Sequence, residues 1–119
     1  MGAFRRFFDR LTESDEARMA SDIEVWSATV PGTVRIGEAP PRGRVKIAGV
    51  IKRITVFPMA DHESLEALVS DGTGEVLVVF MGRREIGGLL LGTRVIVEGV
   101  MGEQRGTRRM INPRLEFSA

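Results

Sequence analysis

The sequence predicts an all-β domain, a five-stranded Greek-key barrel, preceded by a short N-terminal helical arm. Three observations predict it. Residues 65–70 and 75–81 are short runs rich in Val and Leu on either side of Asp71-Gly72-Thr73-Gly74, and two glycines around a Thr supply the positive φ angles of a tight reversal. Residues 42–57 form one long strand whose apolar parity changes partway. Residues 93–101 and 107–112 flank Gly102-Glu103-Gln104-Arg105-Gly106 as a second hairpin.

The arm comes first. Phe4, Phe7, Phe8 and Leu11 recur at i, i+3, i+4 and i+7 with Arg5, Arg6, Asp9 and Arg10 between them, which is the pattern of a short amphipathic helix. Thr12 and Ser14 are N-cap residue types, and Glu13, Asp15 and Glu16 suit the positive end of a second helical stretch running to about Ala20. From residue 21 to 42 the pattern dissolves through Val30-Pro31-Gly32 and Ala39-Pro40-Pro41 into a linker that hugs the body, pinned by Trp26. Residues 1–41 are thus expected to be helix and linker, and residues 42–119 the barrel.

In the long first strand, Val45, Ile47, Gly49 and Ile51 share one parity and Val50, Ile54 and Val56 the other, so a bulge or bend is expected near Gly49. A loop from Phe57 to Ser64 leads into the hairpin. Its second strand is apolar on both parities, with Val76, Val78 and Phe80 on one and Leu77, Val79 and Met81 on the other; which of them faces outward is open at this point. Gly87 and Gly88 disfavour a helix in residues 83–92, leaving an irregular link or single turn with Ile86 and the leucines plugging the barrel end. After residue 112, Pro113 lacks a donor and should end or bend the pairing before Leu115 and Phe117.

Composition limits the function classes. The 119 residues suit one domain with an arm, no Cys is present for disulfides or thiolate metal sites, and His62 is the single histidine. Catalysis would need a base, nucleophile or metal constellation, and scattered carboxylates do not supply it; a turn position accounts for Asp71. The chain is therefore read as a non-enzyme without catalytic residues, metal, cofactor or small-molecule substrate. No run approaches the roughly twenty apolar residues of a membrane span, so a cytoplasmic location is expected. Residues 1–41 carry five basic against seven acidic side chains and residues 42–119 twelve against nine, giving an acidic arm and a basic body. Fifteen of the seventeen basic residues are Arg, suited to planar contacts with phosphate and rings, although for the bias taken alone G+C-rich coding is the better account.

The strand plan, five strands with the first bent and two hairpins following, is that of the OB-fold. Arg42-x-Arg44-Val45, Leu65-Glu66-Ala67 leading to Asp71-Gly72-Thr73-Gly74, Phe80-x-Gly82-Arg83-Arg84, Gly92-x-Arg94, Glu98-Gly99 and Asn112-Pro113 resemble the small OB-fold nucleic-acid-binding proteins of actinobacteria and, more distantly, OB domains of the tRNA-anticodon-binding type. The resemblance covers about residues 42–117 and implies nucleic-acid binding. Phe80-Met81 and Leu115 stand where that family carries Trp-Leu and Tyr, which implies fewer rings for stacking.

An OB barrel takes single strands on the face of its second and third strands, between the loop joining strands one and two and the loop joining strands four and five. Lys52, Arg53 and Phe57 lead into the first loop, Phe80, Arg83 and Arg84 end the third strand, and Arg105, Arg108 and Arg109 surround the second loop; these nine are the candidate binding residues for single-stranded DNA or RNA. Phe57 either stacks a base or folds under the barrel mouth, and Arg83 and Arg84 either bind, form a solvated turn, or pair with Glu85 and Glu103. The alternative is a protein-interaction module. In that reading the apolar strand surface or the Phe4–Leu11 helix docks a partner or a second copy, and Glu66, Glu75, Glu98 and Glu116 favour it.

Overall fold

In the computed structural model, which describes residues 2–58 and 63–118 with side chains from Ser14 onward, one strand organises the sheet. This strand, β1 (Gly43–Pro58), pairs along its first half with β4 (Arg94–Gln104) and along its second half with β2 (Glu63–Ser70). Beyond β2 come β3 (Glu75–Met81) and, parallel to it, β5 (Thr107–Ile111), which returns to β4. Around the sheet the order is β1-β2-β3-β5-β4, and the β1–β4 pairing closes it. That closed order is the OB-fold. A short β6 (Arg114–Phe117) adds to the free side of β4.

Double pairing forces β1 to bend. Its residues alternate inward at Val45, Ile47, Gly49 and Ile51 while pairing with β4, and the register with β2 then skips Lys52, so that Ile51 faces Val69 and Arg53 faces Leu68. The extra residue shifts the parity. The bulge therefore lies three residues beyond the expected Gly49. Gly49 serves a different purpose: a Cβ there would come within 2.6 Å of Val69 Cγ1 and 2.7 Å of the Ser70 carbonyl oxygen, so glycine permits the close crossing of β1 and β2.

Val45, Ile47, Ile51, Leu65, Ala67, Val69, Val76, Val78, Phe80, Val95, Val97, Met101 and Met110 fill the barrel. Ile36, fully buried in the 3-10 turn Ile36–Glu38, closes one end, and Leu89 with the partly buried Ile86 contributes to the core from the link between β3 and β4. The expected plug is thus half right: Leu90 and Leu91 are 66% and 67% exposed. β5 and β6 are joined by Asn112-Pro113. Asn112 adopts φ 50°, its side-chain oxygen accepts from Met81 N at 2.9 Å and its own N–H donates to Val79 O at 2.7 Å, which ends pairing with β3 and redirects the chain onto β4. Pro113 bends the pairing rather than ending it.

The N-terminal segment is one helix, α1 (Gly2–Ala28), where a break near Thr12 and a linker from Ser21 were expected. No Gly or Pro interrupts residues 3–28, so nothing in the backbone stops the helix at the expected break near Thr12 or at Ser21, where the linker was expected to begin. The Phe4, Phe7, Phe8 and Leu11 stripe lies outside the described side chains, and His62 outside the described residues. α1 docks through its last turns. Ser27 Oγ donates to Ala48 O at 2.8 Å, Arg94 stacks over the half-buried Trp26 at 4.9 Å, and the Ala20 carbonyl sits where a Cβ on Gly72 would be, at 2.3 Å. Gly72 also supplies the positive φ of the β2–β3 turn; Gly74 does not, and sits in a close approach where a Cβ would lie 3.1 Å from Gly37 N and 3.2 Å from Ile36 Cγ2.

Asp71 ties these parts together. It is 1% exposed, with Oδ1 accepting from Thr73 N, Thr73 Oγ1 and Gly74 N at 2.9, 2.6 and 3.2 Å, and Oδ2 accepting from Ile36 N at 2.8 Å. Replacing it strands the buried Ile36 donor and unties the turn, a cost of about 3 kcal/mol. Urea unfolding of Asp71→Ala, followed by the fluorescence of the single tryptophan, will show a loss of that size.

Candidate nucleic-acid interface

The bulge in β1 decides which side chains line the outer face of β1, β2, β3 and β5. Directly paired residues share a face. Arg53 pairs with Leu68, Leu68 with Leu77 and Leu77 with Arg109; Thr55 pairs with Glu66, Glu66 with Val79 and Val79 with Ile111; Phe57 pairs with Ser64 and Ser64 with Met81. These three rows make one surface. Had β1 run without the bulge, Phe57 would share the inward parity of Ile51.

Two clefts lie on this surface and share Arg109 and Ile111. One, of about 300 Å³, is lined by Phe57, Ser64, Glu66, Val79, Met81, Arg109 and Ile111. The other, of about 470 Å³, continues toward β4 along Val100, Gly102, Glu103 and Gln104. Phe57, Met81, Val100 and Ile111 stay 45%, 47%, 62% and 58% exposed. These four side chains leave apolar surface open beside the two clefts while the barrel core is full.

The charges divide. Arg53 lies on the face itself, Arg83 follows the positive-φ Gly82 at its edge, and Arg105 sits with Gly106 at the tip of the two-residue β4–β5 turn, both in the left-handed region. Among the described residues none of these three makes an ion pair. Arg84 approaches Glu63 at 3.8 Å, but with the Arg side chain 78% exposed such a pair is worth only ~0–1 kcal/mol and leaves the cation accessible. Among the described residues neither Arg83 nor Arg84 pairs with Glu85 or Glu103, so that alternative is not taken. Arg109 lies in the cleft, near Glu66 at 3.7 Å and hydrogen-bonded to Gln104 Oε1.

Three of the nine sequence candidates are elsewhere. Phe80 is 7% exposed and points into the core, because β3 turns Val76, Val78 and Phe80 inward. Lys52, the unpaired residue of the bulge, lines a cleft with Met19, Asp22 and Ile23 of α1, together with Leu91 and Arg94. Arg108 points to the barrel end and donates to the Gly37 carbonyl at 3.4 Å. Several residues of the face and its clefts were not among the nine candidates, Val79, Met81, Ile111, Glu66 and Gln104 among them. The outward parity of Leu77, Val79 and Met81 could have revealed the first two, once the inward parity was known. Phe80→Ala should cost ~3–5 kcal/mol of stability by opening a core cavity, whereas Met81→Ala, one residue on, should change the denaturation midpoint little; paired denaturation curves measure both.

Among the described residues no three His, Asp or Glu side chains gather as metal ligands would, and no helix is long and apolar enough to cross a membrane. No protein-family model matches the chain, and no curated protein matches it in sequence. Solved structures do. The chain is similar to RecG bound to a three-way DNA junction, with a TM-score of 0.63 and 19% identity over 72% of this chain, and it spans only 12% of that RecG chain. It is also similar to a chain of a replication protein A heterotrimer bound to single-stranded DNA, with a TM-score of 0.53 and 15% identity, covering 78% of this chain and 70% of that one. At these identities the likeness establishes the shared OB-fold barrel.

Proposed function

We propose that the protein binds single-stranded DNA or RNA along the outer face of β1, β2, β3 and β5, as a non-catalytic module that takes no cofactor and works in the cytoplasm. The observation that carries this reading is the pair of adjoining clefts that share Arg109 and Ile111, with Phe57 and Met81 exposed in one of them, on a face that also carries Arg53 and is flanked in sequence by Arg83 and Arg105, all three without ion pairs among the described residues. Stacking on a ring works for every base, and phosphate contacts carry no sequence information, so most positions of the strand are held without preference. The resemblance to the small actinobacterial OB-fold proteins and to anticodon-binding OB domains supports the same class of ligand. So do the nucleic acids bound in the RecG and replication protein A structures.

A second reading, self-association or docking of a partner protein, is favoured by a different surface. Met19 of α1 and Leu91 are more than half exposed and line a cleft with Lys52 that shares no residue with the two clefts of the outer face. Fluorescence anisotropy with labelled single-stranded and duplex oligonucleotides over a salt series separates the two. The first reading expects binding that favours single strands and weakens as salt rises, with Phe57→Ala costing ~1–3 kcal/mol. Absence of binding at low salt, together with a concentration-dependent dimer in sedimentation, favours the second.

A further inference from the structure

The floor of the cleft carries an acid beside a base, which is a poor design for phosphate. Glu66 and Arg109 approach at 3.7 Å with side chains only 18% and 28% exposed, the most buried ion pair among the described residues. The Glu66 carboxylate offsets the Arg109 charge and repels an incoming anion at the same spot. The pair nevertheless has capacity left. The guanidinium, 28% exposed, makes one side-chain hydrogen bond, through Nη1 to Gln104, and the carboxylate accepts none among the described residues. Gln104 holds the guanidinium in place. What fits is a neutral, planar group that offers donors and an acceptor on one edge, with faces suited to the apolar walls of Phe57, Met81 and Ile111.

We infer that Glu66 and Arg109 form a base-reading position that selects guanine and disfavours thymine and uracil. This rests on the single-strand reading above and adds one specific position to an otherwise tolerant face. Guanine carries two adjacent donors, N1–H and N2–H, matching the two oxygens of a carboxylate, and beside them O6 as an acceptor for Arg109. Cytosine and adenine offer the carboxylate a single amino group with a ring nitrogen beside it for the arginine. Thymine and uracil present one N–H between two carbonyl oxygens, so a carboxylate facing that edge meets like partial charge on both sides.

The test uses the full chain and labelled oligothymidylates of about a dozen nucleotides in which one central base is thymine, guanine, cytosine, adenine or hypoxanthine, read by anisotropy at one fixed low salt. A single guanine should tighten binding ~5–100-fold over all-thymine, and hypoxanthine, which lacks the N2 amino group, should lose most of that gain. Glu66→Gln, checked by circular dichroism for an unchanged fold, should bind all-thymine more tightly than the parent, because the repelling charge is gone, and should lower the guanine preference to about twofold or less. Equal binding of all five strands by the parent chain overturns the inference and leaves the single-strand reading standing, as does a guanine preference that survives both hypoxanthine and Glu66→Gln. Failure of every strand to bind overturns both.

Discussion

Lys52 has no partner in β2, and the outer face of the barrel depends on that missing partnership. A strand that pairs with β4 and then with β2 must curve, and an extra residue is how a β-strand curves without losing hydrogen bonds on both sides. The skipped residue also resets parity. Before it the odd-numbered residues fill the core, and after it Arg53, Thr55 and Phe57 turn outward. The same step that closes the barrel therefore puts a phenylalanine at the mouth of the cleft and an arginine at its flank.

At the opposite end a second constraint operates through Asp71. The carboxylate organises its own turn and reaches across to the N–H of Ile36, so the β2–β3 hairpin, the 3-10 turn and the segment leaving α1 are tied to one buried side chain. Gly72 lets the helix backbone approach the turn. Fold-stabilising polar contacts gather here, away from the cleft, while the cleft keeps unspent hydrogen-bonding groups and exposed apolar side chains.

The legible parts of the fold are those encoded by local chemistry. Asp-Gly-Thr-Gly between Val-rich runs defined the β2–β3 hairpin, and β3 runs over the expected residues. The positions that were missed depend on distant packing. Gly49 drew the bend because glycine marks both bulges and close crossings, and only the neighbouring strand tells which. β6 was invisible because its pairing exists only once Asn112 and Pro113 have swung the chain toward β4. On the face, Phe57 and the loop arginines followed from the strand plan. Phe80 did not, because a strand apolar on both parities gives no sign of its inward side. Glu66 read from sequence as an argument for a protein partner; beside Arg109 it becomes half of a polar pair in the cleft.

The central claim is that the face set by the β1 bulge is the one that meets a single strand. Backbone amide NMR during titration with a short single-stranded oligonucleotide tests it most directly, because it reads every surface of the protein at once. The account predicts the largest shifts at Arg53, Phe57, Glu66, Met81, Arg109 and Ile111. Shifts centred instead on Met19, Ile23, Leu91 and Arg94, on the helix side of the barrel, would contradict it.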